Sequence, residues 1–164
     1  TYLELEVGRF AYLFLLMDLY ARYIVGWHVA SSLVADGALN CIQMALINLS
    51  AIPNGLIHHS DHGVQYTSRI YMDTLFNHQL LPSMGEVGNC YDNIYAERVI
   101  GFIKNEYLLD MPFVDIDQVS PIVEEVVDLY NTDRPHISLN MVGPAEVYMG
   151  FRSNIPPVVI PTAA

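Results

Sequence analysis

Residues 10–30 run Phe10-Ala11-Tyr12-Leu13-Phe14-Leu15-Leu16-Met17-Asp18, then Leu19-Tyr20-Ala21-Arg22, then Tyr23-Ile24-Val25-Gly26-Trp27-His28-Val29-Ala30. Two near-continuous apolar stretches, rich in aromatic and β-branched residues and joined by a short polar connection, predict two strands of an antiparallel meander. Upstream, Leu3, Leu5 and Val7 alternate with Glu4 and Glu6, the period of a half-buried strand, and Gly8-Arg9 marks the turn. Three successive strands are therefore expected to open the chain.

Downstream the period changes. Asp36 reads as an N-cap, and Ala38, Leu39, Ile42, Ala45, Leu46 and Leu49 recur at helical spacing, so a helix is expected over 36–49, broken by Pro53-Asn54-Gly55. The apolar run Gly55-Leu56-Ile57 then leads into a buried fourth strand ending at Asp61. Thr67 or Ser68 is expected to cap a second helix, and Leu80 to Met84 reads as a fifth strand. Gly85 to Asn89 has the composition of a loop, and Asn93 is placed to start another helix. Ser120 is expected to cap the next helix with Pro121 at its first position. There Ile122, Val123, Val126, Val127 and Tyr130 form an apolar stripe opposite Glu124, Glu125 and Asp128. The order β-β-β-α-β-α-β followed by helices is that of an α/β domain over residues 1–150. Its central mixed sheet has five strands, three antiparallel and then two more, flanked by helices. Prolines at 135, 144, 156, 157 and 161 mark the tail, of which 151–164 is expected to be extended or disordered.

A chain of 164 residues with 52% hydrophobic content suits one domain with a sizeable core. The longest apolar run, Phe10 to Met17, is strand-sized, so no membrane span is expected. The chain starts directly in a strand pattern without Met or a leader and reads as a fragment. Two cysteines, Cys41 and Cys90, make no disulfide framework and fit a reducing cytosol. Seven Lys+Arg against 18 Asp+Glu give a formal net charge of −11, the wrong sign for a domain that would hold a polyanion unaided.

Two carboxylates carry the chemistry. Asp61 lies in His58-His59-Ser60-Asp61-His62-Gly63-Val64-Gln65-Tyr66-Thr67-Ser68, at the tip of the fourth strand. Glu97 lies in Gly88-Asn89-Cys90-Tyr91-Asp92-Asn93-Ile94-Tyr95-Ala96-Glu97-Arg98, on a helix, with 35 residues between the two acids. Hard oxygen ligands on separate rigid elements suit magnesium or manganese, with positions open for substrate oxygens and water.

These motifs, together with Phe14 to Trp27, Ile103-Lys104-Asn105-Glu106, Tyr130-Asn131-Thr132-Asp133-Arg134-Pro135-His136 and Gly143-Pro144-Ala145-Glu146, resemble the catalytic core of insertion-sequence transposases. That orfB-type family is a branch of the retroviral-integrase-like DDE superfamily with a ribonuclease H-like fold. The resemblance implies metal-dependent phosphodiester cleavage at a transposon end, then strand transfer by the freed 3′-hydroxyl. Asp61 and Glu97 would be catalytic and hold two Mg2+ or Mn2+ ions, with a first catalytic Asp just before Thr1. It also implies DNA, both transposon ends and target, as partner, a homo-oligomer, an N-terminal helix-turn-helix region of the same element, and a bacterial cytoplasmic setting. Lys104 shares a helix face with Glu97 at i+7 and is placed for a DNA phosphate, the alternative being a solvated lysine. Arg98, Arg134, Gln65 and Asn93 are further DNA-binding candidates that could equally be caps. Asp18, at the end of the second strand, reads as a turn residue. Two rival readings are a truncated core that only folds or dimerises, and a zinc hydrolase built on the His58–His62 cluster. Against the second, metallo-β-lactamase-type hydrolases need a histidine where this chain has Ile57.

Overall fold

The computed structural model describes residues 1–49, 52–85, 93–107 and 112–152. Strands β1 (Tyr2–Leu5), β2 (Arg9–Met17) and β3 (Ile24–Ala30) pair antiparallel in the order β1-β2-β3. On β2, Ala11, Leu13, Leu15 and Met17 face one layer while Tyr12, Phe14 and Leu16 face the other. Both faces are covered, which is why this strand reads as an unbroken apolar run. A register shift at Leu16/Met17 pairs Leu16 with Gly26 and Met17 with Ile24. The extra residue changes the phase of β3, so that even-numbered Ile24 and odd-numbered Trp27 and Val29 reach the same core.

Helices α1 (Ala35–Ile47) and α2 (Arg69–Asn77) cover one face, and α3 (Ile94–Glu106) and α4 (Ile116–Asp133) the other. Helix α1 sits unusually close to β3: a Cβ on Gly26 would lie 2.4 Å from the Cys41 carbonyl oxygen. The remaining strands, β4 (Ile57–Ser60) and β5 (Leu81–Met84), form a parallel pair connected through α2. Among the described residues no strand ladder joins this pair to the first three, so the five expected strands occur in order as three plus two. Side chains unite the two sheets, with Tyr71, Leu75 and Leu80 packing in one core with Phe14 and α1.

Helix starts show where local signals mislead. Ser68 caps α2 as expected, its Oγ accepting from the Tyr71 N–H at 3.4 Å. Helix α1 begins at Ala35 after Val34, so Asp36 lies in the first turn, where its charge favours the helix dipole without capping. Helix α4 begins at Ile116, capped by Asp115, whose Oδ1 accepts from the Ile116 N–H at 2.6 Å. Pro121 therefore lies inside the helix and Ser120 is not its cap. The extra turn brings Val119, fully buried, into line with Val123, Val126 and Val127. Helix α5 (Pro144–Arg152) packs on α4 and crosses the boundary expected at 150. The expected tail beyond Arg152 and most of the loop after Gly85 lie outside the described residues. No described helix is long and apolar enough to cross a membrane.

Asn131 of α4, 4% exposed, joins helix to sheet. Its Oδ1 accepts from the Ile24 N–H at 2.8 Å and its Nδ2 donates to the Ile24 carbonyl at 3.1 Å. One side-chain amide thus satisfies both backbone groups at the start of β3, as a neighbouring strand would.

Candidate metal and nucleic-acid site

Strand β4 carries the first motif, and its period of two sends adjacent histidines to opposite faces. His58 is buried, with Nε2 3.0 Å from the Tyr71 hydroxyl. Burial, reinforced by the nearby His59 charge, holds the His58 imidazole down to about 4, so it stays neutral. Burial likewise raises the Tyr71 phenol and pushes Tyr66, edge-on to Tyr71, up to about 12. His59 is exposed and pairs through Nδ1 with the Ser83 hydroxyl at 3.0 Å. His62 donates from Nε2 to the Gly85 carbonyl at 2.6 Å. Each imidazole is thus bonded to a different neighbour, and among the described residues no group of three or more His, Cys, Asp or Glu is arranged to hold a metal. The zinc reading therefore lacks its ligand cluster.

Asp61 lies one residue beyond β4 and is exposed. Its Oδ1 accepts from the Gly63 N–H at 2.9 Å, an Asx-type turn that fixes the carboxylate through one oxygen. Gln65 is buried behind that turn, so close that a Cβ on Gly63 would lie 2.5 Å from Gln65 Nε2. Gln65 therefore supports the loop from inside.

Helix α3 carries the second motif. Glu97 is exposed in its first turn, and Asn93 occupies the N-cap position without a side-chain capping bond. Arg98 is exposed next to it. Lys104, two turns on, donates from Nζ to the Tyr2 carbonyl at 3.1 Å and lies 4.7 Å over the Tyr2 ring. The lysine thus ties α3 to β1.

Arg134 serves the opposite end of α3. It forms a two-pronged ion pair with Glu106, Nη2 to Oε1 at 3.0 Å and Nη1 to Oε2, and lies 3.9 Å over the Phe102 ring. His136 meets Tyr130 and Phe102 edge-on. This segment binds α3 to the end of α4. Asp18 closes the β2–β3 turn as expected, its Oδ1 accepting from the Ala21 N–H at 2.6 Å. Arg22, in the same turn, was not singled out by the sequence, yet its guanidinium lies 4.3 Å over the ring of Tyr95, two residues from Glu97. Only tertiary packing brings these residues together, so no local pattern signals it.

Models of one family, described as the integrase core domain, match residues 1–90 and 78–144. The chain belongs to the integrase core domain family. Among curated relatives, it is 34% identical over 155 residues to the transposase for insertion sequence element IS629 of Shigella sonnei, covering 94% of this chain and 51% of that protein. It is 33% identical to transposase InsF for insertion sequence IS3A of Escherichia coli (strain K12), covering 83% of this chain and 47% of that protein. This integrase core chain spans about half the length of the curated relatives it matches. Among solved structures, the catalytic core domain of BIV integrase matches with a TM-score of 0.68 and 15% identity over 93% of each chain. The HTLV-2 integrase catalytic core domain in complex with magnesium, in a trimeric form, matches with a TM-score of 0.68 and 15% identity over 90% of each chain. A chain of the simian T-cell lymphotropic virus intasome reaches 0.79 at 14% identity, covering all of this chain and 57% of that one. The fold is that of the retroviral integrase catalytic cores, ribonuclease H-like.

Proposed function

We propose that residues 1–150 are the catalytic core of a transposase that cleaves transposon-end DNA and joins it to target DNA. The observation that carries this reading is the placement of Asp61 and Lys104. The acid stands at the tip of β4, and the lysine, from the helix that bears Glu97, donates to the Tyr2 carbonyl at the start of β1. A side chain joined just ahead of Thr1 in a longer protein would enter this space, where the family resemblance expects the first aspartate.

Asp61 and Glu97 are exposed oxygen donors on rigid elements, a set that fits a hard divalent cation, and the metal-bound HTLV-2 neighbour supports the choice of Mg2+, with Mn2+ as substitute. When bound, two such ions would activate the attacking water or 3′-hydroxyl and stabilise the departing oxygen. The chain's own residues hold the geometry. The Gly63 N–H fixes the Asp61 carboxylate, and the tether of Lys104 to β1 sets α3 against the sheet. Lys104 and Arg98 are the candidates for DNA phosphates, whereas the pairing of Arg134 with Glu106 and the burial of Gln65 favour supporting roles. Asn93, at the N-cap position of α3 without a capping bond, is a further candidate for DNA contact. The net charge of −11 implies that most DNA affinity comes from outside this core, from the helix-turn-helix region of the same element and from further copies of the chain, in the bacterial cytoplasm.

The test is strand transfer by the full-length protein on end-containing DNA with Mg2+, beside Asp61→Asn and Glu97→Gln. Product from the wild type alone supports the reading. Equal product from all three proteins overturns it.

A further inference from the structure

In a chain with seven Lys and Arg against 18 Asp and Glu, the position of the cations matters more than their number. Two of the seven meet at the start of α3: the Arg22 guanidinium lies 4.3 Å over the Tyr95 ring, and Arg98 follows Tyr95 at i+3 on the same helix face. Arg134 is neutralised by Glu106. Arg22 and Arg98 have no salt-bridge partner among the described residues and flank the first turn of α3, where Glu97 lies.

Arg22 is held in an unusual way. Its backbone φ of 60° lies in the left-handed region favoured by glycine, so this turn does not call for a long side chain. The guanidinium nevertheless stacks over Tyr95 at 4.3 Å and donates one N–H, from Nη1, to the Leu19 carbonyl at 2.6 Å. A stacked guanidinium keeps in-plane donors for a phosphate and has already lost much of its rotamer freedom. Beside it lies an open surface hollow lined by Arg22, Leu19, Ser138, Asn140 and Val147.

We propose that Arg22, held by Tyr95, forms with Arg98 a phosphate-binding edge that grips one DNA strand along the first turn of α3, the adjoining nucleotide lying across the neighbouring hollow. The inference rests on the transposase reading and assigns it a contact from the β2–β3 turn.

Arg22→Gly is the decisive variant because glycine suits the turn, so the fold should survive while the side chain is lost. Binding of a fluorescent duplex carrying the element's end is measured for the full-length protein across a salt series without Mg2+. Arg22→Gly is expected to weaken binding about 5- to 10-fold at low salt and to reduce the slope of log affinity against log salt by about 1, one phosphate contact. Tyr95→Leu should give a smaller loss, and Arg22→Lys should keep the slope but not the full affinity. An unchanged slope and affinity in Arg22→Gly, with or without a change in melting temperature, overturns the proposal. Asp61→Asn should still bind this duplex yet transfer no strand. Activity in Asp61→Asn would instead strike at the transposase reading, so the two failures are distinguishable.

Discussion

Two polar segments of this chain look alike in sequence and behave oppositely in the fold. His58 to Ser68 and Tyr130 to His136 each pack histidine, aspartate and amide side chains into a short run. In the first, the polar groups diverge: His58 and Gln65 turn inward, while Asp61 is left at the surface on a turn made by its own backbone. In the second, Asn131 pairs with Ile24, Arg134 with Glu106 and Phe102, and His136 packs on two rings. A polar motif is available for chemistry where a charged side chain stays at the surface, as Asp61 does, and holds the fold where its side chains turn inward, even though Arg134 Nε and His136 Nε2 are buried there without a hydrogen-bond partner.

That contrast predicts opposite phenotypes. Asp61→Asn should lower strand transfer about a thousand-fold or more, since the charge that would hold metal is lost. Its stability should change by less than about 0.5 kcal/mol, because the exposed amide can still accept from Gly63. Strand-transfer rates set beside thermal unfolding check both halves. Asn131→Ala should do the reverse, destabilising by about 2–4 kcal/mol by leaving two buried backbone groups of Ile24 unsatisfied. Urea denaturation reads this, and a loss below about 1 kcal/mol would remove the contrast.

His58 gives the inner half of the first segment a pH signature. Its folded pKa lies below the ordinary value of 6.5, at about 4, so between these values the unfolded chain binds the proton and the folded chain does not. The stability it contributes is present above about 6.5 and is lost as pH falls towards 4, by up to about 3 kcal/mol. His58→Gln should flatten this part of a stability–pH curve. Gly26→Ala, in neither segment, should cost about 1–3 kcal/mol by pushing α1 off β3. Arg134→Gln should have the smallest effect, about 1 kcal/mol, because Glu106 is 46% exposed and solvent screens the pair.

The elements were legible where burial and period agree. The doubly covered β2 announced itself by an unbroken apolar run, and Ser68 by a cap followed by a stripe. The start of α4 was misread because Ser120-Pro121 is a good local start signal, while the need to bury Val119 outweighs it and draws the helix back to Asp115. Asp61 and Glu97 stood out because each sits in a distinctive run of residues. Arg22 did not, since its contact with Tyr95 spans more than seventy residues and follows from the packing of a turn on a helix. The inward pairing of Arg134 was hidden for the same reason: charge can be read from a sequence, but its partner cannot.

The single tryptophan, Trp27, lies partly buried on the α3/α4 side of the sheet. Its fluorescence is therefore a one-sided reporter. Loosening of the helices that carry Glu97 and Asn131 would change its emission, whereas fraying of α2 and the β4–β5 pair would leave it dark to the event. An optical melting curve of this protein follows the layer behind Glu97, and an amide-exchange measurement is needed to observe the layer behind Asp61.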